Sequence, residues 1–532
     1  MPVNDSYTSV VNYPMAKKGV NLHNNIVELQ PDECLLSQNL VWENGMVKRK
    51  GQTFVTSTEV VASKKILGLH RFYMADGSTK YTLAACDTTV KKFVSPSTWT
   101  SIKTGLTAGL NTNFTTWGAL NKIYTCNGTD KMWSWDGTTA TDITIADGIP
   151  VQALPYQDRL LTIIGGYLTW SPSFSDDGTK WVAASSAGVK PDTKLYGMCI
   201  HSASNEASSN DTKVLIAGAN GMYLFYGKDM RPIAGVDGDY SLYPISIPVG
   251  CTSPRTMCWT PMGTMWLGID KQVYLLPFND VSPIPVGTKI QSNISGTKGI
   301  ESIPDAQMIN ACAIYHDGYY KLSFASASGS TNTVQYWADV KRGFKDEDGS
   351  FGPWYGPMVG QSISCFANMN GFGDAGNLLG GESTAKGYVY TLGDSGAVAD
   401  ITLSDASAKA ISLAYQTPYN PLGNANLRKD VHKIEAELLD VLGTVNVEFH
   451  DITGSIKTGD IFGLSGSAIY CNDSYWDEQY WSSSMPTRQV VDISPAIQPR
   501  RLSIIIKHST ALDTFELYSL NAECKEQAII FA

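Results

Sequence analysis

The chain alternates short apolar runs with polar turns rich in Gly, Asp and Asn. Between residues 60 and 400 one unit recurs: a strand-like run of Ile, Leu, Tyr and Cys, a polar turn, and a second run ending on an aromatic residue or Leu. Its instances are KYTLAACDTTVKKF (80–93), LNKIYTCNGTDKMWSW (120–135), RLLTIIGGYLTW (159–170), KVLIAGANGMYLF (213–225), GTMWLGIDKQVYLL (263–276), CAIYHDGYYKLSF (312–324) and NLLGGESTAKGYVYTL (377–392). Apolar runs of this kind, bounded by turn residues, predict strand–turn–strand hairpins. The stretch 159–226 carries the unit twice, turning at Gly165-Gly166 and at Asn220-Gly221, dipeptides that accept the positive φ of tight hairpin turns.

Successive units start roughly 40 to 65 residues apart, and self-similar four-stranded units of about 40 to 50 residues are the signature of a β-propeller. One such unit cannot bury its own faces, so neighbours must stack and the ring must close. The expected fold is all-β: a propeller of about six or seven irregular blades over 61–404, with loops inserted between blades. A β-solenoid would need shorter and more regular repeats.

The remainder reads differently. In 405–532 the runs ISLAYQTPYN, HKIEAELLD, TVNVEFHD, RLSIIIKH and TFELYSLNAEC are longer and alternate with period two. Ile434, Ala436 and Leu438 share one face while Glu435 and Glu437 share the other, the pattern of a half-exposed antiparallel sheet. A C-terminal β-sandwich-like module is expected, and it could contribute the strands that close the ring. Residues 1–60 read as an extended N-terminal arm with an entry hairpin at Asn44-Gly45, the first 18 residues being ordered only against a partner.

Composition agrees with an all-β chain. Only 17% of the 532 residues are charged, while Gly (48), Tyr (26) and Trp (13) are plentiful. The formal net charge of −10, with no basic cluster larger than Lys48-Arg49-Lys50, argues against a protein that grips phosphates, which needs a basic stripe. An acidic surface instead lets DNA pass without sticking. The ten cysteines (Cys34, 86, 126, 199, 251, 258, 312, 365, 471 and 524) form no CxxC pair and sit mostly in apolar runs. They read as buried reduced thiols. The N-terminus lacks the apolar core of a secretory signal, and no run reaches the ~20 residues of a membrane span.

Candidate chemistry is sparse. Asp176-Asp177-Gly178-Thr179-Lys180-Trp181 resembles the Asp box of sialidase-like propellers, with the Ser displaced and Lys180 where Thr belongs. Such a box is a turn element away from the catalytic site, so a loop capped by Asp side chains and pinned by a buried Trp is expected. A sialidase would also need an arginine triad, and Arg71, Arg159, Arg231 and Arg255 are scattered. The acidic loops 236–240 and 345–352 lack the full calcium-loop pattern. His23, 70, 201, 316, 432, 450 and 508 form no HxH or HxxxH pair. There is no G-x-S-x-G elbow and no P-loop. Trp133/Trp135, and Tyr475-Trp476 with Tyr480-Trp481, could stack on sugars, but aromatic pairs in strands more often pack across strands. No catalytic, cofactor-binding or metal-binding residue is therefore expected, and no cofactor.

The order of elements carries a resemblance. The opening from Gly19 to Gly51, G-x-N-L…L-x-P-D-E…N-L-V-W-E-N-G-M-V-K-R-K-G, resembles the start of many phage virion proteins. GGYLTWSPSFSDDGTKW…KVLIAGANGMYLFYG looks like the blade-to-blade passage of tail nozzle proteins of short-tailed bacteriophages. CTSPRTMCWTPMGTMWLGIDKQVYLL, GYVYTLGDSGAVAD and the closing RLSIIIKH continue the match. The resemblance covers most of the chain in pattern and fixes no single contact residue. It implies a structural subunit of the virion tail, made in the host cytoplasm and assembled as a ring, a homohexamer, whose channel passes DNA during ejection. The implied partners are portal-adaptor or tail-tube proteins, tail fibre or spike proteins, and DNA held transiently without sequence readout. The competing expectation is a carbohydrate-binding or glycan-active propeller that recognises the host surface. An ordinary cellular scaffold propeller lacks its WD or kelch signatures here.

Overall fold

The structure, a computed structural model, describes residues 8–181, 191, 193–203, 212–229, 239–291, 299–327, 329–342, 351–393, 399–401, 408–423, 429–439, 444–452, 454–462, 487–509 and 515–526. Seven antiparallel sheets follow one another at 66–103, 113–142, 150–170, 195–244, 258–285, 312–359 and 363–392, here called blades 1 to 7. The first strand of each blade lies beside the first strand of the next, and Ile363–Asn368 of blade 7 returns to Ile66–Tyr73 of blade 1. The ring is closed, and the fold is a β-propeller.

Each of the seven repeated sequence units is a pair of adjacent strands within one blade. Middle strands such as Arg159–Ile164, Gly263–Leu267 and Tyr319–Ala325 are buried along their whole length. They are covered on both faces by neighbouring blades, which is why their sequences run apolar instead of alternating. Between blades 3 and 4, Leu161, Ile163 and Trp170 pack with Val214, Ile216 and Phe225. Between blades 1 and 2, Phe72 and Leu83 pack with Trp133 and Trp135.

The tight turn at Gly165-Gly166 has φ of +57° and +89°, as its sequence requires. The turns at Asn44-Gly45 and Asn220-Gly221 are present, but none of these four residues has a positive φ. Gly45 is needed for another reason: a Cβ there would stand 2.8 Å from the Leu517 carbonyl oxygen.

Two further sheets share a second core. One contains Leu40–Trp42, Met46–Lys48, Glu516–Glu526, Lys429–Leu439 and Thr487–Ile497, with Thr8–Tyr13 also paired to Glu516–Glu526. The other contains Leu36–Gln38, Leu413–Gln416, Ser503–His508, Thr444–Asp451 and Gly454–Phe462. Ile434, Ala436, Leu438, Leu517 and Leu520 of the first pack with Tyr415, Val447, Phe449, Ile504 and Ile506 of the second. The same core continues into Met265 and Leu275 of blade 5 and Phe324, Tyr336 and Trp354 of blade 6. Glu437 is exposed, as its alternation demands. Glu435 is buried instead and receives Lys433 at 2.8 Å.

The N-terminal segment corrects two expectations. Residues 8–18 do not wait for a partner protein, because Thr8–Tyr13 pairs with this chain's own C-terminal strand and Tyr13, Met15 and Ala16 are buried. The amphiphilic pieces of the arm are strands that complete sheets begun several hundred residues later. The strand that closes the propeller is also N-terminal. Gln52–Phe54 pairs with Val389–Leu392 as the fourth strand of blade 7, and Phe54 packs on Tyr388 and Tyr390. Beyond it the same sheet continues into Asp400–Ile401 and Ala408–Lys409, so the region after 405 adds an outer edge strand and the N-terminal segment the fourth one. A strand that comes before the blades in the chain and fills the last of them locks the ring with main-chain hydrogen bonds.

Arg49, just before the closing strand, fixes the junction of the two modules. Its Nε donates to Asn39 Oδ1 (2.9 Å), Nη1 to the Lys50 carbonyl (3.1 Å) and Asp400 Oδ1 (3.0 Å), and Nη2 to the Val359 carbonyl (2.7 Å) and Asp400 Oδ2 (2.6 Å). All five guanidinium donors are used, and the Arg49 side chain has no solvent exposure.

Candidate functional site

The first strand of each blade is its inner strand, and polar groups on and beside these strands join each blade to the next. From blade 1 to 2, His70 Nε2 meets Thr116 Oγ1 at 2.6 Å. From 2 to 3, Asn113 Nδ2 donates to the Val151 carbonyl at 3.2 Å. From 3 to 4, Gln152 donates to the Met198 carbonyl (2.9 Å) and accepts from the Met198 amide (2.8 Å). From 4 to 5, His201 Nδ1 meets Thr264 Oγ1 at 2.9 Å, and Trp259 Nε1 donates to the Ser202 carbonyl at 2.7 Å. From 5 to 6, the Tyr320 hydroxyl donates to the Thr256 carbonyl at 2.9 Å. From 6 to 7, His316 Nδ1 meets Asn368 Oδ1 at 3.0 Å. From 7 back to 1, Ser364 Oγ donates to the Ile66 carbonyl at 2.6 Å.

Blade 7 is clasped to blade 1 a second time. Asp374 accepts from Arg71 Nε and Nη2 (both 2.8 Å), Lys80 Nζ (2.7 Å) and the Tyr73 hydroxyl (2.6 Å), with only 4% of its side chain exposed. Burial alone would raise this carboxyl, but the bonds from Arg71, Lys80 and Tyr73 outweigh it and hold it well below the usual carboxylate range.

Contacts also reach past neighbouring blades. Asn111, entering blade 2, donates to Asn310 Oδ1, entering blade 6, at 3.5 Å. Arg255, entering blade 5, donates to the Ser364 carbonyl of blade 7. Groups belonging to non-adjacent blades thus meet across the ring.

The sequence candidates fall into place individually. Asp177 caps a short 3-10 turn at Gly178–Lys180, accepting from the Thr179 amide (3.1 Å) and hydroxyl (2.7 Å). Asp176 receives Lys122 Nζ (2.8 Å) and the Tyr124 hydroxyl (2.9 Å). Trp181 packs with Trp117 and Tyr124. The phrase is a capped and pinned loop, as expected. Trp133 and Trp135 are buried, so they cannot stack on a sugar. Arg71, Arg159 and Arg255 serve three different blades, Arg159 donating to the Ser171 carbonyl at 2.9 Å. Arg231, Cys471, Tyr475, Trp476, Tyr480, Trp481 and most of the acidic loops 236–240 and 345–352 lie outside the described residues. The nine described cysteines are free thiols, and burial pushes those of Cys86, Cys199, Cys251 and Cys312 up to about 12. Among the described residues, no group of three His, Cys, Asp or Glu is placed to hold a metal ion, and no helix is long and apolar enough to cross a membrane.

The histidines of the inner strands give a measurable signature. Burial lowers His70, His201 and His316 to about 4; Lys213 adds to this at His201 and Lys321 at His316. A base whose folded pKa lies below its unfolded value binds more protons when unfolded, so its contribution is present above about pH 6.5 and is lost as pH falls toward 4. The urea midpoint is expected to fall steadily across that window. Replacing the three histidines by Gln should flatten the fall by about 2–4 kcal/mol in total.

No family model matches the chain, and no curated protein matches it. Solved structures with a similar trace include BBS1N in complex with ARL6DN (TM-score 0.42, 8% identity, covering 66% of this chain and 99% of that one). Another is PorZ, a surface component of the type-IX secretion system of Porphyromonas gingivalis (TM-score 0.37, 11% identity, 71% of this chain and 44% of that one). A third is YCF48 bound to D1 peptide (TM-score 0.37, 10% identity, 63% and 95%). At these scores the likenesses carry no functional argument.

Proposed function

We propose that the chain is a structural, non-catalytic subunit of a bacteriophage tail, assembled as a ring around a conduit for DNA. The observation that carries this reading is the welding of propeller and sandwich. One N-terminal segment supplies strands to both sandwich sheets and the closing strand of the propeller, and Arg49 seals the joint. A body built this way holds its shape under load. The polar groups of the inner strands are spent on joining blades, and three of the histidines among them are held neutral near pH 7. The order of sequence elements, similar to that of tail nozzle proteins, and the net charge of −10 support the same reading.

Because groups of non-adjacent blades touch across the ring, a duplex does not fit through a single propeller. The conduit in this reading lies between copies, with the hexamer as the working number. Of the aromatic pairs that could stack on a sugar, Trp133/Trp135 is buried, which removes that support from the glycan-binding alternative. Analytical ultracentrifugation of the purified chain, with cryo-electron microscopy of particles containing it, tests the proposal. Closed rings of the chain at the tail are expected. A protein that stays monomeric, is absent from particles and is retained on a glycan array would overturn it.

A further inference from the structure

Where the sandwich meets blades 6 and 7 the chain encloses a cavity of about 270 Å3. Its floor is cationic and amidic. Lys321, on the middle strand of blade 6, is 7% exposed and lines the cavity. Among the described residues its ammonium makes no hydrogen bond or ion pair and rests only over the Trp337 ring, 4.2 Å from the centroid. Gln335 also lines the cavity. Its Oε1 accepts from Trp337 Nε1 at 3.0 Å, and because an indole nitrogen can only donate, this bond fixes the amide orientation. The Nε2 of Gln335 is then a buried donor with no partner among the described residues. Buried donors are normally satisfied, and one left over costs about 1–3 kcal/mol.

The charges around this floor favour an anion. Arg49 is neutralised by Asp400. Lys48 adds a further cation to the lining, and His316 is held neutral. The carboxylates stand farther out: Glu43 and Asp317 are exposed, Asp317 pairs with Lys341 at 3.3 Å, and Glu516 accepts the Tyr518 hydroxyl. Lys50, also exposed, completes the mouth. Burial lowers Lys321 to about 8; Asp317 opposes this, while Lys341, Arg49 and Lys50 push the same way. The ammonium is thus charged at neutral pH and has no close counter-ion among the described residues.

We propose that this cavity binds the carboxylate group of a small organic anion, with Lys321 as its charge partner and Gln335 Nε2 as a second donor. Val41, Leu378 and Leu392 give the body of the ligand an apolar wall. The volume exceeds the ~150 Å3 of a cavity that holds benzene. One unpaired ammonium and one amide suit a monoanion; a phosphate carries more charge past the carboxylates at the mouth and asks for more donors.

The test is isothermal titration calorimetry of the full chain with benzoate and glucuronate at neutral pH, with inorganic phosphate as comparison. Saturable binding of a carboxylate is expected, weakened about tenfold or more in Lys321→Met and also in Gln335→Leu. In the unaltered protein the affinity should fall as pH rises above about 8. Lys321→Met keeps the side-chain length and removes a buried charge, so its urea midpoint should hold or rise. If that variant does not fold, the pH dependence of the unaltered protein decides. Absence of saturable carboxylate binding, an affinity indifferent to Lys321→Met or to pH above 8, or tighter binding of phosphate would each overturn the proposal.

Discussion

Arg49→Leu should lower the stability of the folded chain by about 3–5 kcal/mol, the cost of stranding a buried charge. The guanidinium makes five hydrogen bonds in a solvent-free site, and two of them form a parallel fork with Asp400. Without it, Asp400, 4% exposed in its side chain, is left buried without its charge partner, and Asn39 Oδ1 and the Val359 carbonyl each lose a donor. Asn39 still takes the Val359 amide at 2.8 Å, so the damage centres on the carboxylate. Arg49→Leu combined with Asp400→Leu should therefore recover much of the loss, because an apolar pair of similar volume replaces a buried ion pair at little cost. Urea unfolding followed by tryptophan fluorescence reads both. A single variant within about 1 kcal/mol of the parent would mean that the joint does not depend on this ion pair.

Asp374→Ala should cost about 2–4 kcal/mol and weaken the seam between the last blade and the first. Four donor atoms from three residues converge on this carboxylate, and removing it leaves Arg71 and Lys80 facing each other. The variant also changes the acid response. The folded carboxyl is held far below its unfolded value of about 4, so its contribution is complete above that value and is lost as pH falls below it. Parent and variant should differ most near neutral pH and converge in strong acid. Hydrogen exchange in Ile66–Tyr73 and Ile363–Asn368 should rise in the variant before the other blades respond. Unchanged protection at that seam would exclude the clasp.

The repeated hairpins were legible because each is local: apolar runs and turn residues lie within a few positions of each other, and burial on both faces writes an unbroken apolar strand. The period-two strands of 429–526 were legible for the complementary reason, since a face turned to solvent keeps its charges. Long-range pairing left no such mark. Gln52–Phe54 is three residues long and takes its meaning from Val389–Leu392. Thr8–Tyr13 looks patternless until Glu516–Glu526 is beside it. Asp374, Asp400 and Asn39 sit in loops or at strand ends, and nothing near them in sequence announces Arg71 or Arg49. Lys321 stands mid-strand, where its charge reads as one solvated position among apolar ones. Only the packing of Trp337 and the sandwich over it reveals the buried ammonium.

The placement of the N-terminal strands has a consequence for biosynthesis. Strands made early have no partner until strands several hundred residues later have been made: Val47 pairs with Glu516, and Thr8 with Lys525. Six blades can collapse in order as they emerge, but the seventh needs a strand made before all of them, and the second module stays unfinished until Glu516–Glu526 has been made. Folding should accordingly run late and slowly, as expected where contacts span most of a chain. The nascent protein would meanwhile carry open sheet edges that a chaperone must shield.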